Sequence, residues 1–200
     1  SGFDLSQSTG QMGASGSRTR AILAGGYTGG GSGQTYIQYF EMTALANSID
    51  FGDLFTQFGR STAHSNNTRC IITGSVSNVD DSIAFVTVAS TGNAQDFGSC
   101  ITNRETPAAC GNRTRAIWGG GTDFGDLTLA RYSPSALSNG VRGVWGGGVP
   151  GSPYAELNIM DFATISSTGN ANDFGDLTVA TQNPLTASNA TRGIFAGGST

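Results

Sequence analysis

The chain has 200 residues, with 31 glycines, 12% charged residues and a formal net charge of −4. An acidic chain without lysine lacks the basic patch of a nucleic-acid-binding protein, and no run approaches the roughly 18 apolar residues of a membrane helix. The 37% share of apolar residues recurs at ordered positions, which favours a packed core over a disordered, low-complexity chain.

An Asp-Phe-Gly motif recurs along the chain at a fixed distance from a following arginine. It begins at positions 50, 96, 123 and 173, and the arginines lie 19 residues later, at positions 69, 115, 142 and 192. The N-terminal residues 1–4 fit the same register, with Arg20 at the arginine position. Each arginine opens a short apolar run that ends in glycine, such as AILAGG or GIFAGG. Self-similarity at a fixed period indicates a repeat architecture.

Each complete unit, of 46 to 50 residues from arginine to arginine, predicts four short strands. The first contains runs such as ALSN at 136–139, and the second begins at the arginine. The third is YIQYFEM, SIAFVTV or LNIMDFATI and ends at Met42, Val88 or Ile165, eight residues before the Asp-Phe-Gly that marks the fourth. Short β-branched and aromatic runs separated by glycine favour strands, and no helical period persists.

One unit is much shorter than the others. Only eight positions separate Arg115 from Asp123, which is too short for a third and a fourth strand. We interpret this unit either as a degenerate two-strand piece or, preferentially, as one from which residues are absent between Gly121 and Thr122. The chain also begins and ends partway through a repeat, as expected of a processed chain or a piece of a longer one.

The connection that follows the glycines varies, from GYTGGGSGQTY to SVSNVDD and GVPGSPYAELN. Fixed strands with one variable loop are typical of a scaffold that varies on one face. In an antiparallel four-stranded unit, this loop and the link to the next unit emerge on the same side. We therefore predict a ligand-binding loop face that contains Tyr27, Tyr36, Asp80, Asp81, Tyr154 and Glu156. Aromatic rings beside carboxylates suit sugar recognition; the alternative is that these are ordinary exposed loop residues.

No residue set in the sequence predicts a catalytic centre, a metal site or a cofactor. His64 is the only histidine, so neither a copper site nor a zinc site has a ligand set, and we interpret it as a strand residue. The repeated acids Asp53, Asp126 and Asp176 lie one per unit, whereas calcium needs several converging oxygens. Hydrogen bonding at turns or strand ends is therefore the preferred interpretation of these acids.

The repeated arginines and the cysteines are expected to be structural. The arginines begin the second strand in every copy, so we expect them to bind neighbouring backbone or an Asp of the adjacent unit, and not to form a sialidase-like cluster. The cysteines hold repeat positions of small or apolar residues, which predicts free buried thiols; a Cys100–Cys110 bridge is the alternative. Asn-x-Thr sequences at Asn66, Asn112 and Asn189 all fall at the same hairpin turn, and turn preference explains them without glycans.

The repeat resembles a kelch-type β-propeller blade, in which a hydrophobic second strand ends in a diglycine. The matching diglycines are Gly25-Gly26, Gly147-Gly148 and Gly197-Gly198, although the tryptophan usual on the kelch fourth strand is absent. More closely, Ser-Thr-Gly-Asn-Ala at 90–94 and 167–171 looks like the repeat arrays encoded by cyanobacterial phages. The resemblance implies an all-β, kelch-like β-propeller of four to five blade units, some incomplete. It implies one domain over residues 1–200, with units of about 1–26, 27–74, 75–121, 122–148 and 149–200.

The same resemblance implies a non-enzymatic structural or adhesion module at the virion surface. Such a fibre, spike or capsid-surface protein would bind the host surface, with glycan as the expected ligand. Its partners would be other virion proteins or further copies of the chain, and no nucleic acid, membrane insertion or cofactor is expected. Two alternatives stay open: a protein-interaction propeller that captures a partner peptide, and a carbohydrate-active enzyme.

Overall fold

The computed structural model describes residues 4–6, 9–29, 31–44, 46–74, 81–100, 106–119, 126–151 and 154–200. These residues form 16 strands, all paired antiparallel, and contain no helix. The predicted all-β class is therefore confirmed. The chain divides into two compact units, residues 1–105 and 106–200.

The first unit consists of two four-stranded sheets in which neighbouring strands follow chain order. The first sheet contains β1 (Gly13–Gly16), β2 (Arg20–Ala24), β3 (Gln34–Glu41) and β4 (Ile49–Phe58). The second contains β5 (Thr62–Ser65), β6 (Arg69–Thr73), β7 (Ser82–Thr87) and β8 (Gln95–Ser99). The two sheets lie side by side with their first strands, β1 and β5, in contact.

The second unit contains one four-stranded sheet between two shorter ones. The described residues of the short unit form the pair β9 (Ala108–Gly111) and β10 (Ala116–Gly119). The full sheet contains β11 (Ser135–Ser138), β12 (Arg142–Gly146), β13 (Ile159–Thr164) and β14 (Asn172–Asp176). The last pair is β15 (Leu185–Ser188) and β16 (Gly193–Ala196), and β11 contacts both β9 and β15.

The predicted four-strand unit is found three times among the described residues. Its third strand ends one residue before Met42, Val88 and Ile165, and its fourth contains Asp-Phe-Gly. The Gly121–Thr122 junction of the short unit lies outside the described residues. Closure of the sheets into a propeller ring stays a prediction.

An asparagine side chain shapes the hairpin between the first and second strands. Asn139 Oδ1 accepts hydrogen bonds from the backbone N–H groups of Val141 and Arg142 at 3.0 and 2.9 Å. The same pair of bonds is made by Asn66, Asn112 and Asn189, and by the Ser17 hydroxyl. Side chains that accept from backbone two and three residues ahead are a known reason for asparagine at turns. Turn formation therefore accounts for the repeated Asn-x-Thr sequences, as predicted.

The core of each unit lies between neighbouring sheets. In the first unit, Ile22 and Ile72 on the two second strands belong to one buried cluster together with Val88. In the second unit, Trp145 is 1% exposed and donates from its indole N–H to the carbonyl oxygen of Ala108 in the preceding sheet, at 3.1 Å. Its ring lies where a Cβ on Gly119 would sit, which explains glycine there. Apolar second strands thus hold successive sheets together.

Candidate functional site

The variable loop and the link to the next sheet meet at one end of each four-stranded sheet. In the first unit, Gly26 N–H donates to the carbonyl oxygen of Phe58, at the end of β4, at 2.8 Å. In the second unit, Gly148 N–H donates to Thr181 at 2.8 Å, and Thr181 N–H donates to Leu157 at 3.1 Å. We call this end of the sheets, with its loops and links, the loop edge. Within each unit it brings together the segments that strand order predicted.

Tyr27 is a packing residue of the loop edge in the first unit. Its ring covers Gly59 so closely that a Cβ on that glycine would overlap it. The guanidinium of Arg60 lies 5.9 Å from the ring centre, within the range of a cation–π contact. Tyr27 is half-buried, so it joins one sheet to the link of the next and exposes part of one ring to a ligand.

Tyr36 and the acidic residues of the first unit lie apart from that cluster in the strand scheme. Tyr36 lies within β3 and not in the connecting loop, opposite Asp53 of β4, and its side chain is 37% exposed. Asp81 is half-buried, and its backbone oxygen accepts from Cys100 N–H at 2.7 Å. Asp80 lies outside the described residues. Their part in ligand binding stays a prediction.

The loop edge of the second unit carries more exposed aromatic surface. Tyr154 is 77% exposed, and in the same loop Glu156 Oε1 accepts from Gln182 Nε2 at 3.4 Å. The link before β11 adds Tyr132, which is 44% exposed and held by two backbone hydrogen bonds to Val149 at 2.8 and 2.9 Å. The sequence prediction named loop residues and missed Tyr132 and Gln182. The signal that could have found them is the link, which shares this edge.

The repeated arginines bind the backbone of the following sheet. Arg20 Nη1 donates to the carbonyl oxygens of Val88 and Ala89, at 3.2 and 2.9 Å. Its Nε pairs with Glu41 of its own sheet at 2.8 Å. Arg115 Nη1 donates to Ile165 at 3.1 Å. The expected backbone partner is confirmed for these two arginines, and the acidic partner of Arg20 is a glutamate of its own sheet and not an Asp of the next one.

The remaining polar residues singled out in the sequence have structural surroundings. His64 is a half-buried residue of β5, opposite Ile71 of β6. Asp53 takes part through its backbone, which donates to Asn93 Oδ1 at 3.0 Å, and Asp126 donates to Asn170 in the same way. Within the described ranges, no group of three or more His, Cys, Asp or Glu residues could hold a metal ion.

All three cysteines are free, and two of them are buried, as the sequence predicted. Burial raises the pKa of the Cys70 thiol to about 12, because a thiolate would lose its hydration there. Burial also raises the pKa of Cys110 above its ordinary value. Cys100 is half-buried, and its sulfur lies 3.9 Å from the Thr73 hydroxyl. Cys70 and Cys110 therefore behave as small core side chains.

Comparison with known proteins gives no relative. No protein-family model matches the chain, and no curated protein matches it. Among the residues that the structure describes, no helix is long and apolar enough to cross a membrane.

Proposed function

We propose that the chain is a non-enzymatic, propeller-type module of a phage virion surface that binds host glycan at its loop edge. The observation that carries the binding proposal is Tyr154, whose side chain is 77% exposed in a variable loop. The placement at the virion rests on the resemblance of the repeat to phage-encoded arrays. The virion surface is accordingly the proposed location, and virion proteins or further copies are the proposed partners.

The chemistry of the loop edge suits a sugar. A tyrosine ring offers an apolar face to the C–H groups of a pyranose and a hydroxyl to its oxygens. Tyr132 and Tyr154 provide two such rings in the second unit, and the Glu156–Gln182 pair provides a carboxylate and an amide. Large exposed aromatic side chains lose apolar hydration when a ligand covers them, which favours binding.

The division between constant and variable parts supports the same proposal. The backbone N–H of Asp53 binds Asn93 Oδ1, and that of Asp126 binds Asn170 Oδ1, so the contacts that join sheets repeat along the chain. The connections between second and third strands differ in length and composition from copy to copy. Variable loops on a repeated rigid scaffold are the usual site of recognition.

The test is binding to purified cyanobacterial lipopolysaccharide and to a glycan array by the chain and three variants. Tyr154→Ala and Tyr132→Ala should each weaken retention about tenfold, because each removes a stacking ring worth roughly 1–3 kcal/mol on burial. The control is Val141→Ser, which changes a 62% exposed side chain at the opposite end of the same sheet. Equal retention of all four proteins, or loss of retention in the control alone, would overturn the proposal.

A further inference from the structure

The second strand of the last sheet, β16, has one strand neighbour among the described residues. In the three four-stranded sheets, the second strand pairs on both sides, with the first and the third. β16 pairs with β15, and its other edge faces a groove of about 180 Å³ between this sheet and the preceding one. The groove is lined by residues that include Leu137, Arg142, Val144, Phe174, Arg192 and Gly193.

The corresponding space elsewhere in the unit is filled by the third strand of the next sheet. Ala163 and Ile165, two positions apart at the end of β13, are 6% and 0% exposed and pack with Cys110 and Ile117 of the preceding sheet. In the sheet β11–β14, Leu137 and Val144 hold the repeat positions of Cys110 and Ile117. The groove therefore presents an apolar surface for two alternate side chains of an extended strand.

Hydrogen-bond donors above the groove fit the same occupant. Arg115 Nη1 donates to the carbonyl oxygen of Ile165, at the end of the third strand of the following sheet. Arg142 holds the same repeat position as Arg115 and lines the groove. An added strand would bring a carbonyl oxygen to this guanidinium.

Phe174 supplies a third, independent sign of an absent neighbour. Its counterpart in the first sheet, Phe51, is 2% exposed, whereas Phe174 is 48% exposed. Phe51 lies against the turn that follows β7, and its carbonyl oxygen accepts from Gly92 N–H of that turn at 2.7 Å. The ring of Phe174 lines the groove where such a turn would lie.

We propose that the open edge of β16 binds an extended strand from another polypeptide chain. The strand runs antiparallel to β16, carries apolar side chains at two alternate positions, and continues into a Ser-Thr-Gly-Asn turn over Phe174. Its chemistry is read from the interface that the chain already forms between β13 and the sheet before it. Strand addition supplies affinity through backbone hydrogen bonds and specificity through alternate side chains. The proposal does not depend on the proposed glycan binding.

The probe is a synthetic peptide with the sequence of residues 157–171, LNIMDFATISSTGNA, which is the chain's own third strand and turn. Titrated into the full chain, it should bind saturably and slow amide hydrogen exchange in Gly193–Ala196. A peptide with the change Ile165→Asp should bind at least about tenfold more weakly, because a carboxylate would enter the apolar groove.

Two matched protein variants keep the test specific. Phe174→Ser should weaken peptide binding severalfold, since the turn of the peptide would lose its partner. Phe97→Ser changes the same repeat position in the sheet β5–β8, where Phe97 is 49% exposed, and should leave binding unchanged. Both phenylalanines stack edge-on against one ring of their own sheet, so their local packing is alike.

Three results would overturn the proposal. The first is no saturable binding by the unmodified peptide. The second is slowed exchange in β12 without any change in β16, which would mean that the peptide replaces β13 within its own sheet. The third is protection of β16 that rises with protein concentration in the absence of peptide, which would assign the face to a second copy of this chain.

Discussion

Arg115 donates a hydrogen bond from Nη1 to the carbonyl oxygen of Ile165, 50 residues further along the chain, at 3.1 Å. Arg20 has the same relationship to Val88 at 3.2 Å. In both cases the arginine begins a second strand and its acceptor follows a third strand of the next sheet. The repeated arginine is therefore a connector between sheets, which explains its fixed distance from the Asp-Phe-Gly motif.

Replacement of Arg20 by Ala should lower the free energy of unfolding by about 1–2 kcal/mol, because two carbonyl oxygens lose a charged donor at a half-buried position. Glu41→Gln is the matched control. It removes the ion-pair charge but leaves the two backbone bonds, and a partly exposed pair contributes less than about 1 kcal/mol. Urea unfolding measures both, and an equal or larger cost for Glu41→Gln would contradict the connector role.

Arg131 and Asp161 form an ion pair that is wholly buried. Arg131 Nη1 lies 2.6 Å from Asp161 Oδ2, both side chains are 0% exposed, and the Thr128 hydroxyl also donates to Asp161. Asp161→Ala should cost about 3–5 kcal/mol, because it leaves a buried guanidinium without its counter-charge. Thermal unfolding followed by circular dichroism measures the loss.

The repeat itself supplies a rescue for that loss. In the sheet β5–β8, the positions of Arg131 and Asp161 are held by Phe58 and Ala84, both 0% exposed. The double variant Arg131→Phe/Asp161→Ala should therefore recover most of the stability lost by Asp161→Ala, since well-packed apolar groups replace buried pairs at little cost. A double variant no more stable than the single one would show that the two sites are not equivalent.

The parts of the fold that the sequence predicted are those that repeat with the same residue. The hairpin asparagines, the second-strand arginines and the diglycines each perform one local task in every copy, so their spacing reveals the strands. Five residues with φ between 43° and 56° precede the first strands: Gln11, Arg60, Thr106, Ser133 and Asn183. Their side chains share nothing, because backbone bonds between sheets, such as Asn183 N–H to Ser133 O, hold them. No residue pattern could indicate them.

The candidate site was predictable only in outline. Strand order predicted that loops and links share an edge, and this is confirmed within each unit by the backbone bonds of Gly26 and Gly148. Exposure of individual side chains depends on the adjacent sheet, which a sequence does not reveal. Tyr27 is half-buried because it packs on Gly59 of the next link, whereas Tyr154 projects into solvent. The Arg131–Asp161 pair occurs once, so no repeat signal marks it.

Gly147 and Gly197 hold the same repeat position with φ of 71° and 68°, but their surroundings differ. A Cβ on Gly147 would clash with the carbonyl oxygen of Thr181, whereas a Cβ on Gly197 would meet nothing within 4 Å. Gly197→Ala should cost only the left-handed backbone strain, roughly 1–2 kcal/mol. Gly147→Ala should cost at least about 1 kcal/mol more, because backbone must move as well. Equal losses in urea unfolding would place Gly147 and Thr181 further apart.

Thiol chemistry distinguishes the three cysteines. At pH 8 the reagent DTNB should modify half-buried Cys100 in the native protein, and Cys70 and Cys110 only after unfolding, because burial raises the pKa of both thiols and the thiolate is the reacting form. Rapid native modification of two or three thiols would contradict this burial.

The raised pKa of Cys70 also sets the sign of a pH effect. From its ordinary value of 9.0 to its folded value of about 12, the unfolded chain carries fewer protons than the folded one. Stability from this thiol is therefore complete below pH 9 and is lost as pH rises toward 12. The Cys70→Ala variant lacks this titration, so its stability deficit relative to the unmodified chain should shrink between pH 8 and pH 10.5 in urea unfolding. A deficit that stays constant or grows over that interval would mean that the Cys70 thiolate is solvated in the folded protein.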